Sequence, residues 1–243
     1  MTKLAVKYVL LDIEGTVLPI TFVKDVLFVY ARQHVESFLE ENWSRTEVQE
    51  AIQEIRQFAT KTPGSPAIDG AGDRLGVVSN VLWQMDRDLK TAGLKALQGL
   101  IWDTGYRKGE LVGELYPDVY PALTKWHQNG IKIGIYSSGS IFAQRLLFGH
   151  TKDGSLLEML DSFHDLTSAG PKLDASSYSS IAAQISCSPD SVLFLTDVYG
   201  EYAAARAARM LSSIVVRDGN KPLSEDEKKD VQLITSFDQL QLC

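Results

Sequence analysis

Two carboxylates stand two residues apart in Asp12-Ile13-Glu14-Gly15-Thr16. Acids this close on a turn can bind a hard, oxygen-liking cation. They can also divide a reaction, one attacking phosphorus while the other protonates the leaving oxygen. Gly15 permits the turn, and Thr16 offers a hydroxyl to the backbone. A third acid, Asp197, follows Phe194-Leu195-Thr196 and would complete a metal site with Asp12. Glu201, one helical turn further on, suits an outer-shell acceptor. Ser137-Ser138-Gly139 leads into a helix, where hydroxyls and N–H groups make an anion site. Lys172, in a loop after Gly170-Pro171, can neutralise phosphate charge. Each has a plainer reading: a solvated turn at 12–16, helix N-caps at Asp197 and at Ser137-Ser138, a surface lysine at 172.

The elements that must position these groups follow from hydrophobic periodicity. Val6 to Leu11 reads as a buried strand that stops at Asp12. From Val23 the period becomes helical, with Val23, Val26, Leu27, Tyr30 and Ala31 on one face and Val35, Phe38 and Leu39 continuing it. Thr46 to Phe58 reads as a second helix, with Val48, Ile52 and Ile55 on one side. Thr62 to Gly72, rich in Pro and Gly, reads as a loop. Leu75 to Leu89 and Leu94 to Trp102 read as helices, and no strand is expected between residues 20 and 110. Beyond that point helices (Pro117–Asn129, Ser140–Phe148, Ala175–Ile185, Tyr199–Met210) alternate with strands (Ile131–Tyr136, Val192–Leu195, Ser213–Val216). Such alternation predicts a parallel sheet with helices on both faces. Ligands of such sheets bind beyond the carboxyl ends of the strands. Asp12, Ser137 and Asp197 each sit at such an end. The expected fold is α/β, a Rossmann-like doubly wound parallel sheet over residues 1–18 and 111–243, with a mainly helical domain inserted at 19–110.

Composition narrows the function. Of 243 residues, 44% are hydrophobic and 23% charged, as in an ordinary globular protein. The formal net charge of −7, with no dense Lys/Arg run, argues against nucleic-acid partners. No stretch approaches the ~20 apolar residues of a membrane span, and the Met1-Thr2-Lys3 start is not that of a signal peptide. Cys187 and Cys243 have no metal spacing and form no disulfide framework; Cys187 is expected as a small buried hydrophobe. His34, His127, His150 and His164 also lack metal spacing and are expected on the surface or hydrogen-bonded. Gly70-Ala71-Gly72 follows no strand and is no dinucleotide fingerprint. Glu225 to Asp230 reads as a solvated charged segment.

Asp12-Ile13-Glu14-Gly15-Thr16, Ser137, Lys172 and Asp197 resemble, in order, the four motifs of the haloacid-dehalogenase superfamily. Its usual first motif is Asp-x-Asp-x-Thr; Glu14 in place of the second Asp resembles the enolase-phosphatase branch. The likeness extends through DIEGTVLPITFVK (12–24), QGLIWDTGY (98–106), YPDVYPAL (116–123), YSSGSIFAQRLLFG (136–149), FLTDV (194–198) and the RDGN that ends at Asn220. Three departures lie outside the motifs: Val29 where Pro is expected, Phe163-His164-Asp165 in place of Phe-Asp-Thr, and Arg209 where a small residue is usual.

The resemblance implies that the helical insertion is a cap domain, and that the enzyme enolises 2,3-diketo-5-methylthiopentyl-1-phosphate and then removes its phosphate. The product is the dihydroxy-keto-methylthiopentene acireductone of methionine salvage. It further implies one Mg²⁺ per chain, held by Asp12, the carbonyl of Glu14 and Asp197. Asp12 is then the nucleophile and Glu14 the acid and base. Ser137, Ser138, Gly139 and Lys172 hold the phosphorylated small-molecule substrate. A cytoplasmic monomer is expected, with the nucleus open as a second location. Another Mg²⁺-dependent small-molecule phosphatase of the same superfamily is the alternative. A dehalogenase fits Glu14 poorly, because halide leaves without a proton, and a silent binding protein fits the complete motif set poorly.

Overall fold

The computed structural model describes residues 5–229 and 231–242. Residues 1–4, which include the Met1-Thr2-Lys3 start, Asp230 and Cys243 lie outside them. The chain divides into two compact units, one formed by Met1–Phe22 with Val112–Cys243 and the other by Val23–Leu111.

In the first unit the strands and helices run β1 (Tyr8–Leu11), then, after the insertion, α5 (Val119–Gln128), β2 (Lys132–Tyr136), α6 (Ile141–Gly149), β3 (Ser162–His164), α7 (Ala175–Gln184), β4 (Val192–Thr196), α8 (Tyr199–Ala207), β5 (Leu211–Val215) and β6 (Leu233–Ile234). The insertion carries α1 (Phe28–Asn42), α2 (Thr46–Lys61), α3 (Arg74–Asp86) and α4 (Ala92–Lys108). All pairings in the sheet are parallel, in the order β3-β2-β1-β4-β5-β6. Every residue of β1 and β4 is buried, as strands covered on both faces require. Each large apolar side chain taken from water there stabilises the fold by about 1.5–3 kcal/mol. Helices α7 and α8 pack on one another, α8 on β4 and β5, and α5 on β2. The α/β reading therefore holds.

The register sets the chemistry. Leu11 pairs with Ile135 on one side and Leu195 on the other. Asp12, Tyr136 and Thr196 thus stand level at the carboxyl edge, with Ser137 and Asp197 one residue beyond. The strand order reverses between β1 and β4, the position where open α/β sheets bind ligands.

In the helical unit α4 packs against α1 and α2, and α3 packs on those same two helices. A Cβ at Gly105 would stand 2.6 Å from the Tyr30 ring, so the close approach of α1 and α4 needs glycine there. Val48, Ile52 and Ile55 are buried as expected. No strand occurs among the described residues of the unit.

Four expectations need correction. The first helix opens with a π-helical turn, Phe22–Leu27. Phe22 and Leu27, five residues apart, are buried while Val26 is exposed, because the wider turn rotates Val26 away from the face that a 3.6-residue period gives it. Two short edge strands, β3 and β6, were not foreseen. Cys187 is half-buried at the margin of the core, its thiol free and pushed up by burial. His164 is buried; its Nε2 meets Ser162 Oγ at 2.8 Å, whereas Nδ1 has no hydrogen-bond partner. Burial lowers its pKa. Residues 225–229 form a turn with local Lys–Glu and Lys–Asp pairs, in keeping with a solvated segment.

Candidate active site

β1 ends on a buried acid. The Asp12 N–H donates to Leu195 O on β4 at 2.9 Å, which continues the sheet by one residue and fixes the carboxylate at the edge. Its Oδ1 accepts from the Ile13 N–H at 2.7 Å and from Lys172 Nζ at 2.6 Å. The chain then reverses: Gly15 N donates to Leu18 O at 2.9 Å, and Thr16, Val17 and Leu18 all donate to Ile13 O. Gly15 has φ +69°, and a Cβ there would stand 2.5 Å from Asp197 Oδ2, so the turn excludes any side chain at this position. The Thr16 Oγ1 expected to bond the backbone is buried without a partner. Glu14 is half-exposed on this turn.

Lys172 is not a solvated loop lysine. It is 9% exposed, with Nζ between Asp12 Oδ1 and Glu201 Oε2, the latter at 2.7 Å. The core holds its loop: Tyr136 Oη donates to Gly170 O, Ser177 Oγ to Pro171 O and Tyr178 Oη to Lys172 O. Burial alone would lower the pKa of the ammonium; Asp12 and Glu201 outweigh burial and raise it. Glu201 sits on the first turn of α8 and also accepts from Thr196 Oγ1 at 2.8 Å. Burial and the neighbouring Asp12 push its pKa up against the pull of Lys172.

Asp197 caps no helix. The N-cap of α8 is Val198, and Asp197 Oδ1 is buried with no hydrogen-bond partner among the described residues. Its pKa is pushed up to about 7, first by burial and then by Asp12. An orphaned carboxylate oxygen facing a second acid is the donor set a divalent cation satisfies. No three or more His, Cys, Asp or Glu side chains among the described residues form a metal-holding group. The side chains that fit a divalent cation here are thus the two carboxylates, Asp12 and Asp197.

At the end of β2, Ser137 is buried and its Oγ accepts from the Gly139 N–H at 3.2 Å, while Ser138 is exposed. The N-cap of α6 is Ser140, which accepts from Ala143 N, so neither Ser137 nor Ser138 is the cap. Gln144 Nε2 donates to Gly139 O and His164 O and pins the loop. Asp12, Lys172, Thr196 and Glu201 thus form one bonded cluster, Asp197 and Glu14 flank it on neighbouring turns, and Ser137 to Gly139 stand on the adjacent strand end.

In the sequence the residues after β5 stand out only through the RDGN likeness, without a role in the site. Arg217 makes two 2.9 Å bonds to Asp118, reaches Thr16 O and stacks on Tyr116. Asn220 Nδ2 donates to Gly15 O at 2.9 Å. Both steady the turn that carries Glu14. The sequence carries a signal for them: Ser213 to Val216 reads as a strand, and its end is another carboxyl edge.

Comparison with known proteins agrees with this geometry. Residues 6–209 match the haloacid dehalogenase-like hydrolase family. The chain is 45% identical to enolase-phosphatase E1 of Xenopus tropicalis, over 97% of this chain and 94% of that protein. It is 43% identical to enolase-phosphatase E1 of Danio rerio, over 96% of this chain and 94% of that protein. The crystal structure of the UTR4 protein of Saccharomyces cerevisiae superposes with a TM-score of 0.79 at 30% identity, covering 97% of this chain and 100% of that one. An acid-bearing edge at the switch point of a parallel sheet and likeness over nearly the whole chain lead to one conclusion: this chain belongs to the haloacid dehalogenase-like hydrolase family, as a phosphatase of the enolase-phosphatase E1 group.

Proposed function

We propose that the chain enolises 2,3-diketo-5-methylthiopentyl-1-phosphate and then hydrolyses its phosphate ester, giving the dihydroxy-keto-methylthiopentene acireductone of methionine salvage. The observation that carries this reading is Glu14, two residues after Asp12, in a chain 45% identical to a named enolase-phosphatase E1. In the phosphatase half, an Asp12 carboxylate oxygen bonds phosphorus as the bond to the leaving ester oxygen breaks, and Glu14 protonates that oxygen. Water then attacks phosphorus, the bond to Asp12 breaks, and Glu14 takes the water proton. Ser137 with the Ser138 and Gly139 N–H groups orients the phosphate, and Lys172 balances its charge. One Mg²⁺ would be held by Asp12, the Glu14 carbonyl and Asp197, and when bound it supplies positive charge to the phosphoryl and substrate oxygens. In the enolase half Glu14, one methylene longer than Asp, reaches the carbon proton of the diketone.

The helical unit is the cap in this reading, and the enzyme acts as a cytoplasmic monomer, with the nucleus as a second location. No helix among the described residues is long and apolar enough to cross a membrane.

The test supplies the diketo-phosphate with Mg²⁺ and follows enol absorbance and free phosphate together, for the wild type and Glu14→Asp. The wild type should give both signals. Shortening the acid by roughly an ångström can cost ~10²-fold; that loss is expected in enol formation, with a smaller one in hydrolysis of a simple ester. Equal losses would remove Glu14 from the enolase half. Phosphate from simple esters but none from the diketo-phosphate would point to another small-molecule phosphatase.

A further inference from the structure

We infer that Asn220 belongs to the cation site, supplying a neutral side-chain oxygen beside Asp197. The inference rests on the reading of Asp12 and Asp197 as the cation-holding acids.

Asn220 Nδ2 donates to two main-chain carbonyls, Gly15 O at 2.9 Å and Val215 O at 3.2 Å. Carbonyls only accept, so the amide nitrogen must face them and the oxygen must face the other way. On that other side Oδ1 is buried and has no donor among the described residues. It converges with Asp197 on the bare face of Gly15. A Cβ at Gly15 would stand 2.7 Å from Asn220 Oδ1 and 2.5 Å from Asp197 Oδ2. Asp197 Oδ1 is orphaned as well.

Asn220 Oδ1 and Asp197 Oδ1 are thus buried acceptors without donors on two side chains that meet at Gly15, which is unfavourable unless a cation or its hydration satisfies them. A residue needed only to clamp Gly15 O could present a donor to Asp197; Asn220 presents another oxygen. Its placement does not depend on the ion. The Asn220 N–H donates to Arg217 O, and Arg217 is anchored by Asp118 and Thr16 O. Asp197 and Asn220 also line one cavity together with Val216, Arg217, Lys221 and Lys228. Outer ligands and their hydrogen-bonding partners typically set metal affinity over a 10–100-fold range.

The test titrates Mg²⁺ alone into the full chain by calorimetry, for the wild type, Asn220→Ala and Asn220→Asp, with melting temperatures taken in chelator to confirm folding. Asn220→Ala should weaken Mg²⁺ binding about 10–100-fold. Asn220→Asp, which keeps an oxygen but loses the amide donors, should bind no more weakly than the wild type. Wild-type affinity in Asn220→Ala would overturn the inference. Equal weakening in both variants would also overturn it, because the clamp on Gly15 O would then be the whole role. Absence of Mg²⁺ binding by the wild type would overturn the underlying reading too.

Discussion

Among the described residues each compact unit buries a polar cluster, and these two are built on opposite principles. In the helical unit Asn80 and Gln84 are fully buried and neutral. Asn80 Nδ2 donates to Pro66 O, Gln84 Nε2 to Asn80 Oδ1, and Thr91 Oγ1 to Gln84 Oε1. None of these buried side-chain atoms lacks a partner. The network closes on itself and ties the 62–73 loop and the start of α4 to α3. At the edge of the sheet the cluster is built of ionisable groups. Lys172 serves Asp12 and Glu201, and Asp197 Oδ1 and Asn220 Oδ1 have no donor among the described residues. A satisfied network makes a fold specific; an unsatisfied one is tolerable because something else completes it. On the proposed reading the first cluster is there for stability and the second for a ligand.

If that contrast holds, substitutions in the two clusters should separate activity from stability. The largest effect is expected from Lys172→Met, which leaves Asp12 and Glu201 facing each other with no cation. Phosphate release should fall by about 10²–10³-fold, and stability should fall as well, because breaking a buried ion pair typically costs about 3–5 kcal/mol. Phosphate release near the wild-type rate would move phosphate charge balance to another residue.

Gln84→Leu should do the reverse. It strands Asn80 Oδ1 and the Thr91 hydroxyl, at a cost of about 1–3 kcal/mol. Urea unfolding should show that loss while hydrolysis of a simple phosphate ester stays within about twofold, a change of under half a kcal/mol in barrier. A large drop in hydrolysis at full stability would give the helical network a role in chemistry.

The smallest effect lies outside both clusters. Arg209 has φ +69° just past the end of α8, in the left-handed position that glycine favours after a helix. Its 2.8 Å contact with Asp190 is exposed and contributes little. Arg209→Gly should therefore stabilise the protein by about 1 kcal/mol without changing turnover. A destabilised variant would mean that the Asp190 contact outweighs the backbone term.

Much of this was legible in the sequence, for physical reasons. β1, β2 and β4 are short apolar runs ended by polar residues, and covered parallel strands leave that pattern. Their carboxyl ends point to Asp12, Ser137 and Asp197 from the sequence alone. β3 hid because Ser162-Phe163-His164 is three residues long and its most buried side chain is a histidine. β6 is a two-residue edge strand, shorter than any periodicity. The π-helical turn at Phe22–Leu27 hid because its five-residue spacing imitates an imperfect α period. Lys172 looked weak because burial is not written in a loop lysine; it comes from Tyr136, Tyr178 and Ser177, which hold the loop from distant elements. Asn220 was visible in RDGN but mute, since only the two carbonyls around its amide reveal where its oxygen faces.

The central claim is that Asp12 carries the phosphoryl group. Rapid acid quench during turnover of a simple phosphate ester, followed by peptide mass analysis, tests it directly. A phosphoryl group on the peptide containing Asp12 in the wild type, absent from a folded and inactive Asp12→Asn protein, is the predicted result. Phosphoryl transfer to another residue, or phosphate release by Asp12→Asn near the wild-type rate, would contradict it.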